Sequence, residues 1–440
     1  MTQAIISPFP VTPFRRFIKS LTDGPFGSSL TSSHYSNEGA RVIRLGNIGS
    51  AEFRSSDEAY IPLEYFHELQ HHEVKPGDLI IAGLGDSNHP VGRACLAPES
   101  LGPAIVKADC FRARLDESRL THRYAAWALS SSAVSQQIRT LTRGTTRTRI
   151  NLDVVREIQV PMPLLGEQHR IAEFLDAETA RIDSLSEARN RQLALLNERT
   201  STLIFDAVRG RSEPGPRKES SIDWLGSVPT SWPIMPVSYQ FEVLLGKMLN
   251  QERAKGAHPA PYLRNTNVQW DRVTTDDLLT MSFPPADHHR YAVHPGDLLV
   301  CEGGEPGRAA IWNGQMEKIY YQKALHRIRP RGYSSPRWLF YFLRAATSQN
   351  VFAVEGNSTT ISHLTGEQLR GYRLPFPKRE VQDRLVNLLD SSSQRQAILN
   401  QTLRTQLGIL AERRQALITA AVTGQFDVST ASGRNVTDGV

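Results

Sequence analysis

The residues with the clearest chemical potential are arginines that alternate with hydroxyl side chains. Residues 143–151 read RGTTRTRIN, and the equivalent stretch in the second half, residues 356–363, reads GNSTTISH. Guanidinium and hydroxyl groups donate hydrogen bonds to phosphate oxygens, and arginine also pairs with the edge of guanine. The first stretch therefore predicts contact with nucleic acid. The second keeps the hydroxyls and lacks the arginines. A solvated surface strand is the alternative interpretation for both.

Further polar residues follow predicted strands in each half. Taken alone, each of these residues outside 143–151 and 356–363 also fits a structural role. The candidate contacts that we assign are Arg41, Arg44, Asn47, Arg143, Thr145, Thr146, Arg147 and Arg149 in the first half, and Arg264, Asn265, Asn267, Asn357, Thr359 and Thr360 in the second.

The sequence lacks the common catalytic patterns. Glycine-rich turns at 83–89 and 302–308 do not have the spacing of a phosphate-binding loop, and no GxSxG or HExxH occurs. Residues 283–286 read FPPA, without the Asn or Asp that precedes the prolines of a methyltransferase motif. The histidines have no carboxylate or cysteine at ligand spacing, so we expect no metal site. These features favour a binding protein over an enzyme.

Composition sets broad limits. The 440 residues include 51 Lys and Arg against 45 Asp and Glu, a mild excess of positive charge. Three cysteines without CxxC spacing indicate neither a disulfide framework nor a zinc site. No apolar run approaches membrane-spanning length, and the first residues lack the apolar segment of a signal peptide. We therefore predict a cytoplasmic protein.

The second half of the chain repeats the first. Pro161 returns as Pro375, a separation of 214 positions (375 − 161), and the same separation relates many other pairs. A repeat of this length exceeds the periods of solenoids and propellers. It predicts two similar bodies related by a pseudo-twofold axis, and a partner that offers two places to bind. Other pairs at this separation are Gln168 and Gln382, Asp176 and Asp390, and Gly210 and Gly424.

Each half ends in a predicted long helix. Residues 167–209 and 380–422 have apolar residues at the three- and four-residue intervals of a coiled-coil seam. At ~1.5 Å per residue each helix is roughly 60 Å long. A helix of this length is too long to be covered by its own domain, so we expect the two helices to pack antiparallel against each other. Polar residues that break the seam, such as Gln396, would lie near helix ends or face a partner. The assigned seam is Ile171, Leu175, Ile182, Leu185, Leu196 and Leu203, with Leu385, Leu389, Leu399, Leu403, Leu410 and Leu417.

Local patterns predict the organisation between the helices. The sequence PGD at 76–78 and 295–297 predicts a turn that opens a buried strand, with Asp78 and Asp297 bonding nearby amides. We assign an α/β domain to 1–163, a helix to 164–211 and a polar linker to 212–232. The pattern repeats with an α/β domain at 233–378, a helix at 379–425 and a disordered tail at 426–440.

These strings together resemble the specificity (S) subunits of type I restriction–modification systems. Residues 23–30 (DGPFGSSL) and 42–48 (VIRLGNI) resemble the opening of a target recognition domain. Residues 144–151, 160–163 and 167–172 resemble the entry into the family's first central helix, and 224–232 (WLGSVPTSW) resembles the segment before a second recognition domain. Their order, repeated twice, carries the resemblance over nearly the whole chain.

The resemblance implies two α/β target recognition domains joined by two long antiparallel coiled-coil helices. Each domain would read one half of a bipartite double-stranded DNA target. The helices would set the spacer and dock two methyltransferase (M) subunits, and restriction (R) subunits would complete the nuclease. This chain would be non-catalytic and would bind no cofactor; S-adenosylmethionine, ATP and Mg would belong to the partner subunits.

Three alternatives stay open from the sequence. The chain could serve a complex that only methylates DNA, or it could be a coiled-coil protein scaffold without DNA binding. A standalone nuclease would need a cluster of metal-binding carboxylates.

Overall fold

The computed structural model describes residues 5–86, 89–141, 148–248, 256–354 and 363–429. Two long helices, Leu165–Val208 and Arg379–Val422, contain 44 residues each. The chain divides into two compact units. Unit 1 comprises Met1–Arg189 and Arg404–Val440, and unit 2 comprises Asn190–Leu403. Each unit therefore contains one α/β domain and about half of each long helix.

Unit 1 contains two four-stranded sheets. The first is antiparallel, in the order Ile18–Thr22, Cys110–Leu115, Leu79–Ala82, Ala94–Leu96. The second is mixed, in the order Tyr60–Ile61, Ala40–Ile43, Ala104–Val106, Glu73–Val74. Two ribbons pair Val11–Pro13 with Gln159–Pro161 and Leu84–Gly85 with Thr148–Arg149. The shorter α-helices are Leu63–Glu68, His122–Leu129, Ser132–Leu141 and Leu152–Glu157.

Unit 2 repeats the main sheet of unit 1. The order is Phe241–Leu245, Leu325–Pro330, Leu298–Cys301, Ala309–Ile311, again antiparallel. A three-stranded sheet contains Leu279–Ser282, Pro259–Leu263 and Tyr320–Tyr321. Ribbons pair Ile234–Pro236 with Arg373–Pro375 and Val268–Gln269 with Arg272–Val273. The shorter α-helices are Val237–Gln240, Pro285–Tyr291, Pro336–Ser348, Val351–Val354 and Gly366–Gly371.

The PGD turns have the predicted structural role. Asp78 Oδ2 accepts a hydrogen bond from the amide of Lys75 at 2.8 Å, and Asp297 Oδ2 accepts one from His294 at 2.7 Å. Both aspartates are buried, and each also pairs with an arginine of the neighbouring strand. The turns thus fix the start of the central strand of each main sheet.

A duplicated set of hydrogen bonds ties each domain to a long helix. In unit 1, Gln168 Oε1 accepts from the amide of Thr121 at 3.0 Å. In unit 2, Gln382 Oε1 accepts from the amide of Ser335 at the same distance. About two turns further along the helices, Asp176 accepts from Arg123 and Trp127, and Asp390 accepts from Arg337 and Tyr341. The sequence repeat is therefore a repeat of side-chain contacts.

The two long helices pack antiparallel within each unit. In unit 1, Ile171 and Leu175 of the first helix share a core with Ile418 and Val422 of the second. In unit 2, Ile204 and Val208 share a core with Leu385 and Leu389. The helices end at Gly210 and Gly424, whose φ angles of 60° and 69° suit glycine.

The predicted seam is wrong at its middle. Leu185 and Leu399, which the repeat relates, are 47% and 48% exposed. Polar contacts hold this part of the helices instead. Arg414 Nε donates to Asp183 at 3.0 Å in unit 1, and Gln396 Nε2 donates to the carbonyl of Leu196 at 3.1 Å in unit 2. Gln396 therefore joins the two helices of its unit, contrary to the expectation that it faces a partner.

Two segments are more ordered than predicted. The linker at 212–232 contains the paired strands Arg217–Glu219 and Ser227–Pro229, and Leu225 and Trp232 are buried in the core of unit 2. At the carboxyl end, Phe426 stacks edge-on against Phe174 at 5.7 Å between ring centroids, and Val428 is buried. The predicted disordered tail overlaps this packed segment; its remainder, 430–440, lies outside the described residues.

Candidate nucleic-acid interface

Two of the predicted contacts in unit 1 are engaged in an internal turn. Asn47 is fully buried, and its Oδ1 accepts from the amide of Arg44 at 2.8 Å. Its Nδ2 donates to the carbonyls of Arg54 and Asp57, both at 2.8 Å. Arg44 forms an ion pair with Asp57. Arg41, also predicted, donates to the carbonyl of Ser55 at 2.7 Å and is largely buried.

Unit 2 builds the same turn. Asn267 is buried and its Oδ1 accepts from the amide of Arg264 at 2.9 Å. Arg264 pairs with Asp277 at 2.7 Å. In this arrangement Asn47 and Asn267 have no surface to offer a ligand, because their amides are enclosed. Their geometry, with that of Arg41, Arg44 and Arg264, supports a role in shaping the turn, and contact with DNA by these five stays a prediction.

Most of the hydroxyl-rich stretches lie outside the described residues. This applies to Arg143, Thr145, Thr146 and Arg147 in the first half, and to Asn357, Thr359 and Thr360 in the second.

Arg149 is described, and it remains accessible. Its side chain is 57% exposed, and its Nε donates to Asp109 Oδ1 at 2.6 Å. The guanidinium lies 5.8 Å from the ring centroid of Phe26. Thr148 and Arg149 pair with Gly85 and Leu84, so the predicted stretch runs beside the glycine-rich turn of unit 1.

This turn forms one wall of a cleft of about 350 Å³, which we call the Arg54 cleft. Arg54 is exposed, and within the described residues its guanidinium has no hydrogen-bond acceptor or ion-pair partner. A free guanidinium at a cleft of this kind can donate two parallel hydrogen bonds to a guanine edge or a phosphate. The cleft is lined by Leu45, Gly46, Arg54, Leu84, Gly85, Asp86, His89 and Arg93.

Arg93 holds the walls of the Arg54 cleft together. It is buried, and its Nε donates to the carbonyl of Ile48 at 2.7 Å while Nη2 donates to that of Leu45 at 3.1 Å. Its Nη1 donates to Leu84 at 3.2 Å on the opposite wall. Burial lowers the pKa of the Arg93 guanidinium, and the nearby charge of Arg54 lowers it further. The walls of the cleft are therefore joined by buried hydrogen bonds, and two guanidinium groups and the carboxylate of Asp86 line it.

Unit 2 has the same frame with different side chains. Arg308 Nη2 donates to the carbonyl of Asn265 at 3.0 Å, as Arg93 does to Leu45. The amides of Arg54 and Thr274 donate to the carbonyls of Asn47 and Asn267, both at 2.8 Å, so Thr274 is the counterpart of Arg54. Asn265 faces the glycine-rich turn, since a side chain added at Gly304 would lie 3.4 Å from its Nδ2.

Sequence reasoning missed Arg54 because it belongs to no repeated motif. Residues 53–56 read FRSS, again an arginine beside hydroxyls, which is a weak signal that could have found it. Leu45 and Gly46 of the predicted segment 41–47 line the Arg54 cleft together with Leu84 and Gly85, with which the predicted residues Arg149 and Thr148 pair.

A carboxyl group beside Arg149 has unusual electrostatics. Burial raises the pKa of Asp23 to about 6, and the charge of Asp109 adds to the rise, while Arg149 lowers it. The charge near Arg149 therefore changes in mildly acidic solution.

Comparison with known proteins shows to which family the chain belongs. The family model described as the type I restriction modification DNA specificity domain matches twice, at residues 37–195 and 241–407, which is well over half of the chain. The chain belongs to this family. The two matches fall on the two α/β domains and continue into the long helices, in agreement with the duplicated contacts.

Individual relatives of the specificity family match over most of their length. The chain is similar to the type I restriction enzyme EcoKI specificity subunit of Escherichia coli (strain K12), with 22% identity over 395 residues, 88% of this chain and 82% of the relative. It is also similar to the EcoBI specificity subunit of Escherichia coli, with 22% identity over 427 residues, 91% of this chain and 83% of the relative.

Solved structures show the same fold. A chain from a type I R-M system, studied for its complex assembly and conformational transition, has a TM-score of 0.71 at 17% identity and covers 96% of this chain and 100% of its own length. The HsdS subunit from Thermoanaerobacter tengcongensis has a TM-score of 0.51 at 17% identity and covers 95% of this chain and 97% of its own length.

Two further features concern only the part of the chain that the structure describes. Within it, no group of three or more His, Cys, Asp or Glu side chains could hold a metal ion. None of its helices is long and apolar enough to cross a membrane.

Proposed function

We propose that each unit of this specificity protein reads one half of a two-part double-stranded DNA target, and that the long helices set the distance between the halves. The observation that carries the proposal is the duplicated anchoring of each domain on the helices, through Gln168 and Asp176 in unit 1 and Gln382 and Asp390 in unit 2. Domains fixed to a stiff element present their reading surfaces at a constant separation, and half-site spacing follows from that geometry.

In unit 1 the reading surface is the Arg54 cleft with the adjoining strand of Arg149. Arg54 contacts a base edge, because its guanidinium has no acceptor among the described residues and its backbone amide is held at the cleft by the carbonyl of Asn47 at 2.8 Å. Arg149 contacts the DNA backbone, as do Arg143 and Arg147. In unit 2, Asn265 and the hydroxyl-rich residues near 359 take this role, with fewer charges.

The partners of the chain are two methyltransferase subunits, with restriction subunits in the full complex. Exposed apolar side chains at repeat-related positions of the long helices support two equivalent docking places. Leu185 and Ile409 lie in unit 1, and Leu399 and Leu195 lie in unit 2. Leu195 is 63% and Ile409 58% exposed, which is unusual for large apolar residues without a partner.

In this proposal the chain is non-catalytic and works in the cytoplasm. The methyltransferase subunits bind S-adenosylmethionine, and the restriction subunits use ATP and Mg. The absence of familiar catalytic patterns from the sequence is consistent with this division.

Sequencing of methylated adenines in the host genome, with and without the gene, tests the proposal. We expect a motif of two short defined halves separated by a fixed unspecified gap, and its loss in the deletion strain. The mass of the co-expressed complex tests the partners: saturation at two methyltransferase subunits per chain supports the proposal, and saturation at one contradicts it.

A further inference from the structure

Unit 2 contains a polar cavity that is lined in part by its glycine-rich turn, through Glu305. It has a volume of about 260 Å³ and lies between the first long helix and the helix Pro336–Ser348. Its lining residues are Ser201, Ile204, Trp270, Glu305, Arg344, Thr347 and Ser348.

Two of the lining groups lack partners. Arg344 is partly buried, which lowers the pKa of its guanidinium, and among the described residues it has no hydrogen-bond acceptor or ion-pair partner. Thr347 lies one turn further along the same helix, and its Oγ1 is buried without a hydrogen bond in the part of the chain that is described. Buried polar groups in native proteins are almost always hydrogen-bonded. The buried, unbonded hydroxyl of Thr347 and the unpaired guanidinium of Arg344 at one cavity indicate a missing acceptor.

The acidic side chains nearby are already engaged. Glu305 accepts from Trp270 Nε1 at 2.7 Å and from Arg308 Nη1 at 3.2 Å. Asp271 accepts from Arg337 Nη2 at 2.7 Å. Neither carboxylate lies within ion-pair distance of Arg344 in the described structure. The guanidinium is therefore available to an external anion.

Unit 1 has a direct contact at the place equivalent to Arg344 and Ser201. The repeat of 214 positions relates Arg344 to Ser130 (344 − 130) and Ser201 to Gln415 (415 − 201). Gln415 Nε2 donates to the carbonyl of Ser130 at 3.2 Å, so helix and domain are joined directly. Unit 2 replaces this contact with a cationic, hydroxyl-lined cavity.

We propose that the cavity of unit 2 binds a phosphate group through the guanidinium of Arg344 and the hydroxyls of Thr347 and Ser201. A guanidinium fork with neighbouring hydroxyl donors matches the oxygens of a phosphate. The phosphate is either free in solution or belongs to the backbone of bound DNA, and the experiment below separates the two sources.

Titration of the full-length protein with inorganic phosphate at constant ionic strength tests the proposal. Five of the six tryptophans lie in unit 2, and Trp270 lines the cavity, so tryptophan fluorescence reports on it. We expect a saturable change in fluorescence. At ten times the dissociation constant the melting temperature should rise by about 2–4 °C.

Four variants define the site. Arg344→Ser installs the residue of unit 1 and should abolish the phosphate response, without lowering the melting temperature in phosphate-free buffer because it removes an unpaired, partly buried cation. Arg344→Lys and Thr347→Val should weaken the response. Arg395→Ser, which removes an exposed arginine of the second long helix, is the matched control and should respond as the parent protein does.

The source of the phosphate follows from the salt dependence of DNA binding. If the cavity holds a backbone phosphate, Arg344→Ser should reduce the slope of log K against log salt by roughly 0.9. If Arg344→Ser loses the phosphate response but leaves the salt slope unchanged, the site binds free phosphate. The phosphate titration remains informative even if the protein binds no DNA. No saturable response in the parent protein together with an unchanged slope, or a full response in Arg344→Ser, would overturn the proposal.

Discussion

The two units share their frame and differ where they face solvent. Each has the same four-stranded sheet, the same buried turn around Asn47 or Asn267, and the same helix anchors. The cleft side chains differ: Arg54 in unit 1 stands where unit 2 has Thr274. The buried residues that the two units share therefore maintain the geometry of each domain. The accessible ones that vary are the candidates for sequence recognition.

The anchors themselves are unequal in strength. Arg337 of unit 2 pairs with both Asp390 and Asp271, and its side chain is only 19% exposed. Arg123 of unit 1 pairs with Asp176 alone and is 35% exposed. The position of Asp271 is occupied in unit 1 by Ala51, whose carbonyl accepts from Arg123 at 2.7 Å. Unit 2 thus depends on its arginine more than unit 1 does.

The largest expected effect follows from this inequality. Arg337→Ala should destabilise unit 2 by about 3 kcal/mol, because it removes the ion pairs of two partly buried carboxylates and leaves Asp390 only its bond from Tyr341. Arg123→Ala should cost about 1 kcal/mol. Urea unfolding combined with hydrogen exchange measures both and assigns each loss to its unit. Equal losses of unfolding free energy in the two variants would contradict the difference between the units. Arg337→Lys is the conservative control.

An exchange at the cleft should have the next largest effect. Arg54→Thr gives unit 1 the residue of unit 2 and should cost ~1–3 kcal/mol of discrimination at one base pair of one half-site. Arg54→Lys keeps the charge without the bidentate fork, so affinity should persist while discrimination falls. Binding to a set of duplexes with single base changes measures this. An equal loss of discrimination at both half-sites would show that Arg54 does not recognise a base.

Arg149 should act on affinity and leave sequence preference unchanged. If it contacts a phosphate, Arg149→Ala should weaken binding to every duplex and reduce the salt slope by roughly 0.9. Together with Arg147→Ala the reduction should double if both contact the backbone. Binding measured over a series of salt concentrations is the readout, and an unchanged slope would exclude this strand from the interface.

The smallest expected effect is a pH dependence of the stability of unit 1. The pKa of Asp23 is raised to about 6 in the folded protein, above its ordinary value of 3.8. Its contribution to stability is therefore present at low pH and is lost as pH rises from about 4 to 6. Since the group is partly exposed, we expect about 1 kcal/mol. Asp23→Asn should flatten this part of the stability profile, whereas an unchanged profile would contradict the assignment.

Much of the frame was predictable because it follows from periodicity and turn chemistry. The long helices, their terminal glycines and the PGD turns each depend on local pattern. The middle of the helix pair was not predictable, because Asp183, Arg414 and Gln396 are polar residues whose contacts arise only when two distant segments meet. The Arg54 cleft was missed for the same reason: its walls come from segments 30 or more residues apart.

In our proposal the long helices hold the two DNA-reading surfaces at a fixed separation. The boundaries between the units fall at Arg189/Asn190 in the first helix and Leu403/Arg404 in the second. Because the helices pack against each other, matched insertions must be made in both. Four helix-favouring residues at each boundary advance the helices by ~6 Å and roughly one full rotation, which corresponds to nearly two base pairs of DNA at ~3.4 Å each.

The decisive measurement is the methylated motif in genomes that carry these insertion variants. The four-residue pair should keep both half-site sequences and lengthen only the gap between them by one or two base pairs. A two-residue pair should rotate one reader away from the groove and abolish the motif. An unchanged gap after the four-residue insertions, or an altered half-site sequence, would contradict the account.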